Sequence, residues 1–197
     1  MNWIERFLTA IATHKADLSA HTRDIFELVE TGTYLPSPLM ARYDMNVSVA
    51  LVADTLYAIP YPIIRARTPA EIAIEVQAGV AGNLRIGIHK DNGSVYPGAR
   101  VTNGGVVDVT ALGLKIVAYT TQLTKGLYWI TFISDVAPTI WCTYDYLSLV
   151  GNAATIQAHF IGWKIADAYG NLPDPFPAGA VALLELFAAG FKFTSND

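Results

Sequence analysis

Charge is the scarcest commodity in this chain. Only 15% of its 197 residues are Asp, Glu, Lys or Arg, against a share of roughly 25% in soluble domains, and the mean hydropathy is +0.33. So few charges cover a large monomer surface poorly, and the simplest remedy is an oligomer that buries part of it. No basic cluster is longer than two residues and the formal net charge is −4, which disfavours a nucleic-acid surface. Cys142 is the only cysteine, so an intramolecular disulfide framework and a cysteine-based metal site are both excluded. A product assembled in reducing cytoplasm fits this usage best. Long apolar runs are missing too. The N-terminus, Met1 to Ala10, lacks the basic region and apolar core of a signal peptide, and the run from Ala178 to Ala189 is broken by Glu185 and too short to span ~30 Å of hydrocarbon. Membrane insertion is not expected.

What is present falls into two blocks, 1–35 and 36–197. The first carries helical periodicity over residues 2 to 31. Written as heptads, it places Ile4, Ile11, Leu18 and Ile25 at the a positions and Phe7, His14, His21 and Leu28 at the d positions, the spacing of a coiled-coil seam. Gly32 is a plausible C′ stop, and Pro36 and Pro38 forbid continuation. Two readings stand side by side: an amphipathic helix lying on its own β domain, or a short parallel bundle that sets the oligomer state. In the bundle, His14 and His21 would form polar rings at the axis; in an imperfect seam they reach solvent.

The second block reads as strand and turn. Ile72, Ile74 and Val76 alternate with Ala73, Glu75 and Gln77, and Leu84, Ile86 and Ile88 alternate with Arg85, Gly87 and His89, the pattern of half-buried strands. Asp91-Asn-Gly-Ser94 is a hairpin signal, and Asn103-Gly-Gly105 suggests a more open turn. Strands are expected at Val106–Val109, Lys115–Tyr119 and Leu127–Ile133. The last is apolar on both faces and belongs centrally. Ile156–Lys164 and Val181–Phe187 add candidates, for a total of roughly eight to ten strands at antiparallel sandwich spacing. The expected fold is therefore mainly β, an antiparallel jelly-roll-like β-sandwich with an N-terminal α-helix.

Catalytic and metal motifs are thin. G-x-S-x-G, Walker A, H-E-x-x-H and Cys-His patterns are absent, and the four histidines, His14, His21, His89 and His159, lie outside metal-motif spacing. His89, at a strand end, is expected at the surface, and His159 as a semi-buried imidazole in an apolar strand. Asp135, Asp145, Asp167 and Asp174 lie near predicted loops, where aspartates commonly bond backbone; nothing in the sequence selects a glycosidase pair among them. Asp91-Asn-Gly-Ser94 lacks the later acidic ligand of a calcium loop. No catalytic residue, metal or cofactor is assigned. Aromatics are more suggestive. Trp141, Tyr144 and Tyr146 follow Ala137-Pro-Thr139, and Trp163 and Tyr169 bracket the next turn. Such rings can pack on the C–H faces of sugars, or they can fill a β core.

The order Asn92-Gly93, Pro97-Gly98, Leu123-Thr-Lys-Gly-Leu-Tyr-Trp129, Ala137-Pro-Thr139 and Leu172-Pro-Asp-Pro-Phe-Pro177 resembles β-sandwich domains in virion proteins of tailed bacteriophages, of the tail-fibre and head-fibre type. It covers Leu84 to Gly179, about half the chain. The resemblance implies a non-enzymatic, homotrimeric protein on the particle surface. It would be assembled in host cytoplasm, attached to other virion proteins, and able to present its head to host-surface carbohydrate. The alternatives are a carbohydrate-binding module of a cellular protein and, further off, a glycan-active enzyme.

Overall fold

A computed structural model describes residues 34–36, 47–144 and 161–193. The heptad positions Ile4, Phe7, Ile11, His14, Leu18, His21, Ile25 and Leu28, and also Tyr146, Asp145 and His159, lie outside the described residues, as does the helix expected over 2 to 31. Within the described residues the chain is mainly β, with thirteen strands in two antiparallel sheets.

The strands are β1 Tyr34–Pro36, β2 Val47–Ala50, β3 Thr55–Ile63, β4 Pro69–Ala78, β5 Asn83–Asp91, β6 Pro97–Asp108, β7 Gly113–Ala118, β8 Gly126–Ser134, β9 Thr139–Thr143, β10 Gly162–Ala166, β11 Val181–Leu183, β12 Leu186–Phe187 and β13 Ala189–Phe193. One sheet runs β11-β10-β3-β8-β5-β6. The other runs β1-β13-β4-β9-β12, with β7 added to β4 and β2 added to β9. β1 straddles the boundary between the two sequence blocks at residues 35 and 36, and it pairs with β13 from Tyr34 to Pro36.

Alternation places the core. Ile72, Ile74 and Val76 of β4 and Leu84, Ile86 and Ile88 of β5 meet Tyr57, Ile59 and Tyr61 of β3 and Ile130 and Phe132 of β8 in one apolar cluster. Tyr57 stacks on Phe132 with centroids 5.3 Å apart, and Phe187 of the opposite sheet meets both rings edge-on at 5.5 and 5.4 Å. Tyr61 meets Phe191 edge-on at 4.6 Å. These contacts join the sheets. Each large apolar side chain so buried contributes about 1.5–3 kcal/mol.

β8 is central, as its doubly apolar sequence predicts, and the reason is now visible. Tyr128, Ile130 and Phe132 face the shared core, while Trp129 and Ile133 face outward yet are fully buried. Their cover is a strap, residues 167–180, that crosses the outer face of the six-stranded sheet. Leu172 and Phe176 of the strap form a second cluster with Leu56, Ala58, Trp129 and Ile133. The proline series Pro173, Pro175 and Pro177 thus stiffens a covering segment.

Three local expectations differ from what is found. Asn103-Gly-Gly105 lies inside β6, where the β5–β6 register shifts between Ile86 and Ile88. Gly104 takes φ +59°, and a Cβ there would sit 1.6 Å from the Ile86 carbonyl oxygen, so this is an in-strand irregularity that requires glycine. The strand expected over Val181–Phe187 is two short ones, β11 and β12, which belong to different sheets. The strand expected over Ile156–Lys164 is described only from Gly162 and extends to Ala166.

Candidate functional site

The strap is fixed by reciprocal bonds whose partners lie far apart in sequence. Asn103 Oδ1 accepts from Leu172 N at 2.7 Å while Asn103 Nδ2 donates to Asn171 Oδ1 at 2.8 Å. Asp174 Oδ1 accepts from Arg100 N at 3.0 Å, and the Arg100 guanidinium donates back to the Leu172 carbonyl. Phe176 N donates to Gly98 O at 3.0 Å. Tyr96 donates its hydroxyl to Pro177 O at 2.5 Å and accepts from Ala180 N at 3.2 Å.

His89 lies beneath this segment and is fully buried, at 0% exposure, the reverse of the surface position expected from its place before a turn. It faces outward from β5, but the strap roofs that side. Nε2 is 2.9 Å from the Pro173 carbonyl oxygen and Nδ1 is 2.9 Å from Thr131 Oγ1. The Phe176 ring meets the imidazole edge-on at 5.7 Å. A carbonyl only accepts, so Nε2 carries the hydrogen and Nδ1 accepts from the Thr131 hydroxyl. Burial pushes the imidazole below its usual pKa, only partly offset by the Pro173 carbonyl and the Asp174 charge, and Arg100 adds to the lowering. The sequence called for a cover on each face of a central strand apolar on both sides; that His89 lies across from Trp129 and shares this cover is seen only in the structure.

The predicted aromatic residues do not form one surface. Trp163 donates its indole N–H to Val95 O at 2.9 Å and packs against Tyr96 with centroids 5.0 Å apart. Tyr169 packs in the same outer cluster, and its backbone N–H donates to Asp54 Oδ1 at 2.8 Å. Burial, then the Asp135 charge, pushes its phenol pKa up. Trp141 stands on the other sheet, on the face of β9 opposite Ile140 and Cys142, which enter the core. Tyr144, just past β9, is 50% exposed. Trp141 and Tyr144 at β9 and Trp163 and Tyr169 in the strap layer therefore lie at different sheets.

Of the loop carboxylates, Asp135, Asp174 and Asp91 accept from backbone N–H groups. Asp135 accepts from Asn83 N at 2.6 Å and Asn83 Nδ2 at 3.3 Å. Asp91 accepts from Gly93 N at 2.7 Å through one oxygen and from the Trp129 indole at 3.1 Å through the other. That is the turn expected of Asp91-Asn-Gly-Ser94, completed by Asn92 Oδ1 on Ser94 N and by Gly93 at φ +95°. Among the described residues, no group of three or more His, Cys, Asp or Glu side chains could hold a metal ion. Cys142 is buried, and burial together with the Glu185 charge pushes its thiol to about 11, which leaves it a core residue with little thiolate.

The outer face of the seven-stranded sheet has a different character. Ile72, Ile74 and Val76 point into the core, so their neighbours Glu71, Ala73 and Glu75 point out. They pair with Ala118, Ile116 and Leu114 of β7. Leu114 and Ile116 are 41% and 46% exposed. Beside them Ala73, Ala188 and Gly190 floor a shallow groove walled by Leu114, Tyr34 and Glu75. The ionic group next to it is internally compensated. Lys192 Nζ lies 3.2 Å from Glu71 Oε1 and 5.4 Å from the Tyr34 ring centroid, while the Tyr34 hydroxyl donates to Glu71. Burial and the adjacent Glu71 carboxylate push Tyr34 up to about 12, and the Tyr34 bond, then Lys192, hold Glu71 low.

No protein-family model matches this chain, and no curated protein sequence matches it.

Proposed function

We propose that this chain is a non-enzymatic structural protein of a tailed-phage virion, a fibre or head appendage. Its described strands would form a jelly-roll-like β-sandwich head, with residues 2 to 31 as a trimerising and attaching handle. The observation that carries the assembly part is the outer face of the seven-stranded sheet. Leu114 and Ile116 stand out of it beside a floor of small residues, and the chain has few charges with which to make such a face a permanent water contact. The order of turns and strands from Leu84 to Gly179 supports the phage reading by resemblance. Other virion proteins are the expected partners.

Light scattering on the full-length protein tests the assembly: a trimer at micromolar concentration is expected, and a clean monomer defeats the reading. The particle assignment predicts that mass spectrometry of purified virions finds the chain in stoichiometric amount. Its absence from them overturns the virion role.

A second reading, adhesion to host-surface carbohydrate, is favoured by Tyr144, half exposed one strand-end from Trp141 on the outward side of β9. Trp163 and Tyr169 are engaged in packing the strap, so this reading rests on the β9 pair. On a glycan array, Trp141→Ala and Tyr144→Ala are expected to lose binding with the fold intact. Unchanged binding in both variants removes these residues from the site. A monomeric, glycan-binding protein would point instead to the carbohydrate-binding-module alternative.

A further inference from the structure

We propose that the strap over residues 171–177 is an acid-released latch keyed by His89: the neutral imidazole holds it down, and protonation favours a state in which it lifts and uncovers Leu56, Trp129 and Ile133.

The geometry supplies each part of this device. His89 ties the centre of the six-stranded sheet to the middle of the strap, through β8 at Thr131 Oγ1 and through the strap at Pro173 O. The neutral ring suits both partners, since it donates to a carbonyl and accepts from a hydroxyl. An imidazolium carries hydrogen on both nitrogens, so Thr131 must turn its hydroxyl round, and the charge lies against Phe176 with no exposure to water. The charged groups that face the ring work against each other. Asp174 on the strap favours the cation and Arg100 on β6 opposes it. Asp174 already accepts from Arg100 N. Asp91, two residues along β5 on the same side, is occupied by Gly93 N and the Trp129 indole. β8 contributes the Thr131 hydroxyl.

Lifting the strap restores water to the ring, so the proton binds the open state more tightly than the closed one. By linkage the closed state is then fully favoured above about pH 6.5, the ordinary imidazole value, and loses ground as pH falls through the window below it. The opening constant can rise by up to about tenfold per pH unit within that window. The strap is suited to open alone. It joins no sheet between Asp167 and Ala180, it is held by hydrogen bonds at one layer and by the packing of two side chains, Leu172 and Phe176, and segments outside the sheets open at lower free energy than the core strands.

Amide hydrogen exchange on the full chain tests the latch at pH 7.5, 6.5 and 5.5, corrected for intrinsic exchange rates. In the wild-type protein, protection of the 171–180 segment is expected to change by no more than about twofold from pH 7.5 to 6.5 and to fall about fivefold from pH 6.5 to 5.5, while β3 and β8 keep theirs. His89→Gln retains an amide donor toward Pro173 but cannot titrate in this range. In that variant the pH step should vanish, and because His14, His21 and His159 remain, any contribution from them is left behind as background. A strap whose protection is flat with pH, or whose step survives unchanged in His89→Gln, overturns the proposal. If His89→Gln does not fold, the imidazole titration followed by NMR in the wild-type protein decides. A His89 transition that coincides with loss of strap protection supports the latch, and titration with the strap still closed overturns it.

Discussion

Trp129 shows how much a single side chain can bind together. It is fully buried on the outward face of β8, roofed by the strap, and its indole N–H reaches Asp91 at the start of the β5–β6 turn. Trp129→Phe keeps a ring but removes that bond and part of the volume. A hydrogen bond to a carboxylate contributes about 1.5–3 kcal/mol where it is sheltered, and the smaller ring leaves a partial cavity. Asp91 is partly open to water and recovers some of the loss. A drop of ~2 kcal/mol in unfolding free energy by urea denaturation is expected, and a change under ~0.5 kcal/mol would mean that the bond and the packing matter little. At this scale the sequence announced the bulk of Tyr128 and Trp129 on opposite faces, because alternation is a local property of a strand. It did not announce the burial of His89. That depends on Pro173, 84 residues away, and no local pattern encodes a roof supplied from such a distance.

Among the elements, β8 and the strap define each other. The run from Leu127 to Ile133 read as central because both its faces are apolar, and it is. The alternating β4 and β5 were equally plain. β11 and β12 were not, since a continuous apolar run from Val181 to Phe187 hides the point at which the chain leaves one sheet for the other. The aromatic residues could not be sorted between core and surface from sequence for a related reason. Trp and Tyr after a turn look the same whether they face water or a covering layer, and Trp163 on β10 and Tyr169 within the strap both pack into that layer. The strap itself predicts a separable response. Phe176 is its buried anchor, 4% exposed, and truncating a core Phe to Ala typically costs about 3–5 kcal/mol when the whole fold depends on it. Here the strap can peel away first. Phe176→Ala should raise exchange across 171–180 strongly while shifting the global urea midpoint by less than that full cost. If strap and core strands instead lose protection together and by equal amounts, the strap is an inseparable part of the cooperative unit.

For the whole molecule, the governing facts are the shortage of charge and the place where apolar surface is left over. The core is filled from both sheets, and on the outer face of the six-stranded sheet the strap covers Leu56, Ala58, Trp129 and Ile133, leaving single exposed valines such as Val106 on β6. On the seven-stranded sheet, Leu114 and Ile116 remain outward, next to the Ala73–Gly190 floor. These side chains are about half exposed in the isolated chain, so replacing them changes folding free energy little, as is usual for surface sites. In an interface the same replacement places two carboxylates in an apolar contact beside Lys192, the cation of that face among the described residues, which is already paired with Glu71. Leu114→Asp combined with Ile116→Asp is therefore expected to leave the unfolding free energy measured in urea within ~0.5 kcal/mol of wild type while raising the concentration at which the oligomer dissociates by at least tenfold, measured by analytical ultracentrifugation across a dilution series. A double variant that dissociates at the wild-type concentration would leave this face in water and assign assembly to residues 2 to 31 alone. One that unfolds would show instead that β7 depends on these two side chains for its place at the edge of the sheet.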